Sequence, residues 1–128
     1  MTFTIPGNPV TKKNSQRIFV NKKTGKPFVK PSEQYEAYAE TAGWFIPKEG
    51  ISSPVNLKCL YFMETMRRVD LVNLLEATCD ILVKYGCLKD DDSKIVASHD
   101  GSRVLLDRKN PRVESKIGRA VQQECRDR

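Results

Sequence analysis

Hydrophobic and polar positions along the chain change their period several times, and each change marks an element. From Val55 to Met63 the residues Val55, Leu57, Cys59, Tyr61 and Met63 fall on every second position, the pattern of a strand with one buried face. Val113, Ser115 and Ile117 repeat that alternation in a last strand. Over residues 71–85 the period lengthens, and Leu71, Leu74, Leu75, Thr78, Leu82 and Tyr85 form the apolar stripe of a helix. Asn73, Glu76, Asp80 and Lys84 line its opposite, polar side. Asp70 stands at the entrance as a good N-cap, and Asp80 with Lys84 has the spacing of an i,i+4 ion pair.

Earlier in the chain, "FTI" is a short strand stopped by the turn chemistry of "PGNP". "RIFVNKKTGKPFV" predicts a hairpin in which Gly25 takes positive φ. Pro31 and Ser32 then supply a stop and an N-cap for a first helix, with Glu33 and Glu36 in its first turn. Tyr35, Tyr38, Ala39 and Ala42 recur at helical spacing, and Pro47 and Gly50 close the segment. Trp44 is expected in the core. "KIVASH" and "RVLLD" are strand-like and expected to form a hairpin through Asp100-Gly101, with "RKNP" as the next turn. The sum is an α+β domain: a mixed β-sheet of about four strands, two helices packed on it, and a basic N-terminal hairpin. Residues 1–117 are expected to form that single domain, with 118–128 a polar tail.

At 128 residues, with 39% hydrophobic and 30% charged content, the chain supports one globular core rather than two. No apolar run approaches the ~20 residues that span a bilayer, and the first residues lack the apolar core of a secretory signal. Cys59, Cys79, Cys87 and Cys125 have no CxxC spacing, and His99 is the single histidine, expected at the surface without a chemical role. Reduced thiols in a cytoplasmic protein are the expectation, and zinc is not.

The net charge of +6 is unevenly placed. Lys12, Lys13, Arg17, Lys22, Lys23, Lys26 and Lys30 all precede Glu33, the first acid. Such an arm suits a polyanion, because each cation near a phosphate releases a condensed counterion. Arg67 and Arg68 could hold further phosphates, and Arg103 and Arg112 could add contacts. Phe19 and Phe28, in the basic hairpin, either pack it onto the domain or wedge between bases. The acids form two groups: those of the 71–85 helix with Asp70, and the run Asp90, Asp91, Asp92. Adjacent carboxylates repel one another, and magnesium, which takes oxygen ligands, relieves that repulsion. Acids of this kind beside a basic arm are what metal-assisted phosphodiester cleavage requires.

"RRVDLVNLLEATCDILVKYGCLKDDDSKIV" (residues 67–96) resembles the core motif of the RusA family of Holliday-junction resolvases, and "IPGNPVTKKNS" resembles that family's entry segment. The resemblance implies a homodimeric, magnesium-dependent endonuclease that nicks two strands symmetrically at branched DNA during recombination and repair. Asp70 and Asp91 match catalytic aspartates of the motif, Asn73 its asparagine, Asp80 its helical aspartate, and Asp90 the other half of its acidic pair. Two positions depart: the second motif aspartate is Val72, and the motif lysine is Glu76. These two lie one turn apart, so Glu76 could return the carboxylate lost at Val72. The expected ligand set is therefore Asp70, Glu76 and Asp91 with Asp90, and Asn73 and Asp80 in support. Two arrangements could join Asp70 to Asp91: a loop folded back along the helix, or antiparallel helices paired across a two-fold axis. The alternative to an enzyme is an impaired protein that binds junctions without cutting them.

Overall fold

A computed structural model describes residues 1–12, 16–31 and 33–120, with residues 16–19 and 28–31 described by their backbone alone. The elements in chain order are β1 (Thr2–Pro6), β2 (Gln16–Val20), β3 (Pro27–Pro31), α1 (Glu33–Gly43), β4 (Val55–Met63), α2 (Leu71–Lys84), β5 (Val96–Ser98), β6 (Arg103–Leu106) and β7 (Arg112–Arg119). This is the α+β class expected, with a mixed sheet of five strands instead of about four.

β4 is the centre of the sheet. Its alternation is realised without exception: Val55, Leu57, Cys59, Tyr61 and Met63 are buried, and the residues between them are half-buried on the other face. β7 pairs antiparallel with β4 along Val55–Phe62 and with β1 on its far side, giving the order β1-β7-β4-β5. β4, α2 and β5 form a parallel crossover, the arrangement that needs a helix to carry the chain back. The helix is held by its inner face, on which Leu74, Ala77, Thr78, Cys79, Ile81 and Leu82 are buried. That face is broader than the leucine stripe, since Ala77, Cys79 and Ile81 join it and Leu71, Leu75 and Tyr85 lie at its margin. In the core, Tyr61 Oη and Thr78 Oγ1 lie 2.7 Å apart, and Thr78 donates to the Leu74 carbonyl at 2.9 Å. With Thr78's one proton so used, Tyr61 is the donor of the pair.

The hairpin expected around Asp100-Gly101 is not formed. β5 and β6 do not pair with each other. Both run parallel to β4, β5 beside Val55–Asn56 and β6 beside Leu60–Met63, as two pieces of one interrupted edge. Side chains bridge the interruption. Asn56 Nδ2 donates to the Asp100 carbonyl at 3.2 Å, and its Oδ1 accepts from Asp100 N at 2.8 Å and Ser98 Oγ at 2.5 Å. Ser102 Oγ accepts from Cys59 N at 3.0 Å, and His99 Nδ1 lies 3.0 Å from the Leu57 carbonyl. His99 is thus half-buried and tied to the sheet, not a plain surface residue.

Two further expectations change. Trp44 is 85% exposed, because α1 ends at Gly43 and the chain turns before the tryptophan can reach the core. β7 continues to Arg119 and Ala120 is buried, so the sheet takes in the first residues assigned to the tail. Ser32 and residues 121–128 lie outside the described residues, and with them the expected N-cap of α1 and the rest of the tail. The N-terminal hairpin stands as expected, β2 against β3, with Gly25 at φ 70° and its amide donating to the Asn21 carbonyl at 2.7 Å.

Candidate acidic site and basic surface

The site begins with the cap of α2. Asp70 has an extended backbone, and its Oδ1 accepts from Val72 N at 3.0 Å, filling the N-cap role read from the sequence. From there the open side of α2 carries Glu76, exposed, and Asn73 and Asp80, half-buried. Asp80 does not pair with Lys84. Its Oδ2 lies 3.6 Å from Lys12 Nζ, and the Lys84 ammonium sits over the Tyr85 ring, 5.5 Å from its centroid. The salt bridge fixes the entry segment to α2, and Lys12, Tyr35, Ala39, Asp80 and Lys84 line a cleft of about 280 Å³ between the two helices.

The 90–92 turn follows a chain reversal at the end of α2. Cys87 N and Leu88 N both bond to the Leu82 carbonyl, at 2.9 and 3.3 Å, so the chain reverses at the helix end. Asp90 Oδ1 accepts from Asp91 N at 2.7 Å, and Asp92 Oδ1 from Lys94 N at 2.9 Å. Asp91 has its pKa raised by partial desolvation, by the hydrogen bond with Asp90, and by the negative charges of Asp80 and Asp90. The same two acids, Asp91 and Asp80, act on buried Cys79, whose thiol is pushed up to about 12, chiefly by burial. Asp91 therefore lies within electrostatic reach of the Cys79–Asp80 turn of the helix. Asp70 is about 15 Å further along the axis at 1.5 Å per residue, so the fold groups Asp91 with Asp80 and Asp90 rather than with Asp70. Of the expected ligands, Glu76 is one turn from Asp80, and both charges reach Tyr35. Val72 is 67% exposed, an apolar side chain in the position where the motif has a carboxylate.

Tyr35 is a site residue that sequence reading assigned only to the helix stripe. It is buried on α1, and its pKa is raised to about 12, first by burial and then by Asp80 and Glu76. Its signal was the aromatic on the one α1 face that meets α2, which periodicity alone could not connect to those acids.

Among the described residues no three His, Cys, Asp or Glu side chains converge as a finished metal cage. The donors nevertheless suit magnesium. They are hard carboxylate oxygens, and magnesium is commonly held by one or two carboxylates together with waters and substrate phosphates. Desolvation leads in raising the Asp91 pKa, and the repulsion by Asp80 and Asp90 that adds to it is the electrostatic condition that a dication relieves.

The basic residues divide into three groups. Lys22, Lys23 and Lys26 are exposed at the hairpin tip. Arg17 and Lys30 stand directly opposite each other in the β2–β3 register, as do Phe19 and Phe28, so the four positions share one hairpin face. Lys13 lies outside the described residues. Arg67 and Arg68 are exposed and line a groove of about 630 Å³ with Asn8, Thr11 and Gln34. Asn8 Oδ1 accepts from Glu64 N at 2.9 Å and so holds the entry loop against that groove. Arg112, in contrast, is already engaged: it stacks 3.9 Å from the Phe62 ring centroid and pairs with Asp107 at 2.8 Å and Glu114 at 2.7 Å.

No helix among the described residues is long and apolar enough to cross a membrane. No protein-family model matches this chain, and no curated protein matches it.

Proposed function

We propose that this protein is a structure-selective endodeoxyribonuclease that cuts branched DNA with magnesium. The observation that carries this reading is that the chain reversal after α2 leaves Asp91 within electrostatic reach of Asp80, which is itself paired with Lys12. Asp91 and Asp80, with Asp90 and Glu76 adjoining, are the residues that would hold the metal. When bound, magnesium polarises a phosphoryl oxygen and lowers the pKa of an attacking water.

The remaining work falls to the chain's own groups. Asp91 must be ionised to act, so activity is lost as pH falls through its raised pKa. Lys12 orients Asp80, while the hairpin lysines and Arg67 and Arg68 hold phosphates on either side of the cut. Asp70 serves chiefly by capping and orienting α2.

A second reading, binding of junctions without cleavage, is favoured by the exposed Val72 and by the Lys12 ammonium already beside Asp80. Magnesium titration over a synthetic four-way junction separates the two. Paired nicks that disappear in Asp91→Asn support the nuclease. A shifted but intact junction at every magnesium concentration supports the binder.

A further inference from the structure

The face of the sheet turned away from the helices carries a cationic pair that the nuclease reading does not use. Both helices pack on the face of Val55, Leu57, Cys59, Tyr61 and Met63. On the opposite face, the registers of β1, β7 and β4 set Thr2, Lys116 and Lys58 in one row and Thr4, Glu114 and Leu60 in the next. Directly opposed residues of an antiparallel pair share a face, so Lys116 and Lys58 are neighbours of like charge, an arrangement that destabilises a sheet. Edge protection does not account for it. Lysines that blunt a sheet stand on edge strands, whereas β7 and β4 each have strands on both sides.

Neither lysine is neutralised by the fold. Among the described residues no carboxylate forms an ion pair with Lys58 or Lys116. Glu114 stands two positions from Lys116 on β7 and diagonal to Lys58, yet it is engaged elsewhere: its Oε2 accepts from Arg112 Nε at 2.7 Å. The Lys58 stem is seated against Gly101, where a Cβ would fall 3.2 Å from Lys58 Cδ and Cε. Thr2, Thr4, Leu60 and Glu114 join the two lysines in lining a cleft of about 550 Å³. That is within the roughly 300–1,000 Å³ of small-ligand sites.

The geometry points to a binding site for a phosphomonoester in this cleft. Two adjacent ammonium groups match a dianion, and a phosphomonoester carries about −1.5 to −2 charges at pH 7 with three strong acceptor oxygens. A backbone phosphodiester carries only one charge. Lys58 and Lys116 supply the countercharge, the Thr2 and Thr4 hydroxyls donate further hydrogen bonds, and half-buried Leu60 offers the organic group an apolar shelf. Binding relieves the repulsion between the lysines and breaks no ion pair. A free phosphoester of nucleotide size and the phosphorylated end of a nucleic-acid strand share this chemistry.

Calorimetric titration of the full chain without magnesium tests the site, using adenosine 5′-monophosphate, adenosine, and a short adenine oligonucleotide with either a 5′-phosphate or a 5′-hydroxyl. The monophosphate is expected to bind and adenosine not to. Its affinity should fall about tenfold or more, the worth of a hydrogen bond to a charged group, in Lys116→Met and in Lys58→Met, which keeps an unbranched stem over Gly101. Changing Lys22, Lys23 and Lys26 to Ala should leave it unaltered. A 5′-phosphorylated strand that binds more tightly than the mononucleotide, and more tightly than its 5′-hydroxyl form, assigns the site to strand ends; a mononucleotide that binds as tightly or more so assigns it to free phosphoesters. In phosphate-free buffer Lys116→Met should melt at or above the wild-type Tm, since a repulsion is removed, and in the wild type the Thr2 and Thr4 methyl NMR signals should shift with the monophosphate. A monophosphate that binds no better than adenosine, binds both methionine variants as well as wild type, or leaves those methyl signals unmoved overturns the inference. A Tm lowered by Lys116→Met does so too, because it makes the lysine structural. Cleavage is not a readout, so the outcome is independent of whether the protein is a nuclease.

Discussion

Asp91 and Asp70 carry the same charge and have opposite consequences. Asp91 is raised by desolvation and by its neighbours Asp90 and Asp80, so the folded chain binds its proton more tightly than the unfolded chain does. Its contribution to stability therefore falls as pH rises from the ordinary carboxylate range through the raised value, and the resulting penalty persists at neutral pH. Asp91→Asn is expected to raise Tm at pH 7 while abolishing cleavage, and the gain should vanish below the ordinary carboxylate range. Thermal melts across pH give that result directly, and magnesium should raise the Tm of the wild type more than that of the variant. Asp70 contributes by capping instead. Asp70→Ala should lower stability by about 1 kcal/mol, measured by urea unfolding, and it should reduce cleavage far less than Asp91→Asn does.

Much of this was legible one residue at a time. Asp70 as a cap and the alternation of β4 follow from local chemistry, and both are realised. The pairing of Asp80 was not legible, because Lys12 arrives from the other end of the domain and takes the acid from Lys84, its neighbour on the helix. Trp44 escapes sequence reading for a related reason: its bulk suggests a core residue, but α1 stops one position too early to carry it inward.

At the scale of elements, the site depends on how α2 sits on β4 and against α1. Tyr61 donates to Thr78, and Thr78→Val leaves that buried hydroxyl without its acceptor. The expected loss is about 1–3 kcal/mol, read from chemical unfolding, with Tyr61→Phe/Thr78→Val costing less than the sum of the single changes. The C-terminal ends of the two helices meet at Gly43, where a Cβ would fall 2.6 Å from the Tyr85 ring. Gly43→Ala should therefore destabilise by about 1–3 kcal/mol through overpacking, and a Tyr85→Ala background should recover most of it. The sequence did not announce the β5–β6 arrangement. Asp100-Gly101 has the chemistry of a hairpin turn, and Gly101 does take φ 85°, but the strands it joins follow β4 in parallel. Parallel pairing with a strand far away along the chain leaves no local signature, whereas a hairpin does.

For the whole molecule, charge is divided along the chain: a lysine-rich entry segment and hairpin precede Glu33, and an acidic helix and turn follow it. A nucleic acid held by the first should bind with a steep salt dependence. Changing Lys22, Lys23 and Lys26 together to Ala should lower the slope of log K against log salt by up to about 3, one for each phosphate no longer neutralised. Fluorescence anisotropy on a labelled junction measures it, and the weakening should be similar for junctions of different sequence. The division of charge was readable from composition along the chain. The contact between its halves, Lys12 on Asp80, was not, because it is created by folding.

The central claim is that the acids on α2 and in the 90–92 turn cut branched DNA. The most direct measurement is strand mapping of an end-labelled four-way junction, with a linear duplex of the same sequence as control, in magnesium and in chelator. Symmetric nicks are expected in opposing strands of the junction, in magnesium only, absent with Asp91→Asn and absent from the duplex. A junction that is bound and left intact in magnesium, or a duplex cut as readily as the junction, would contradict it.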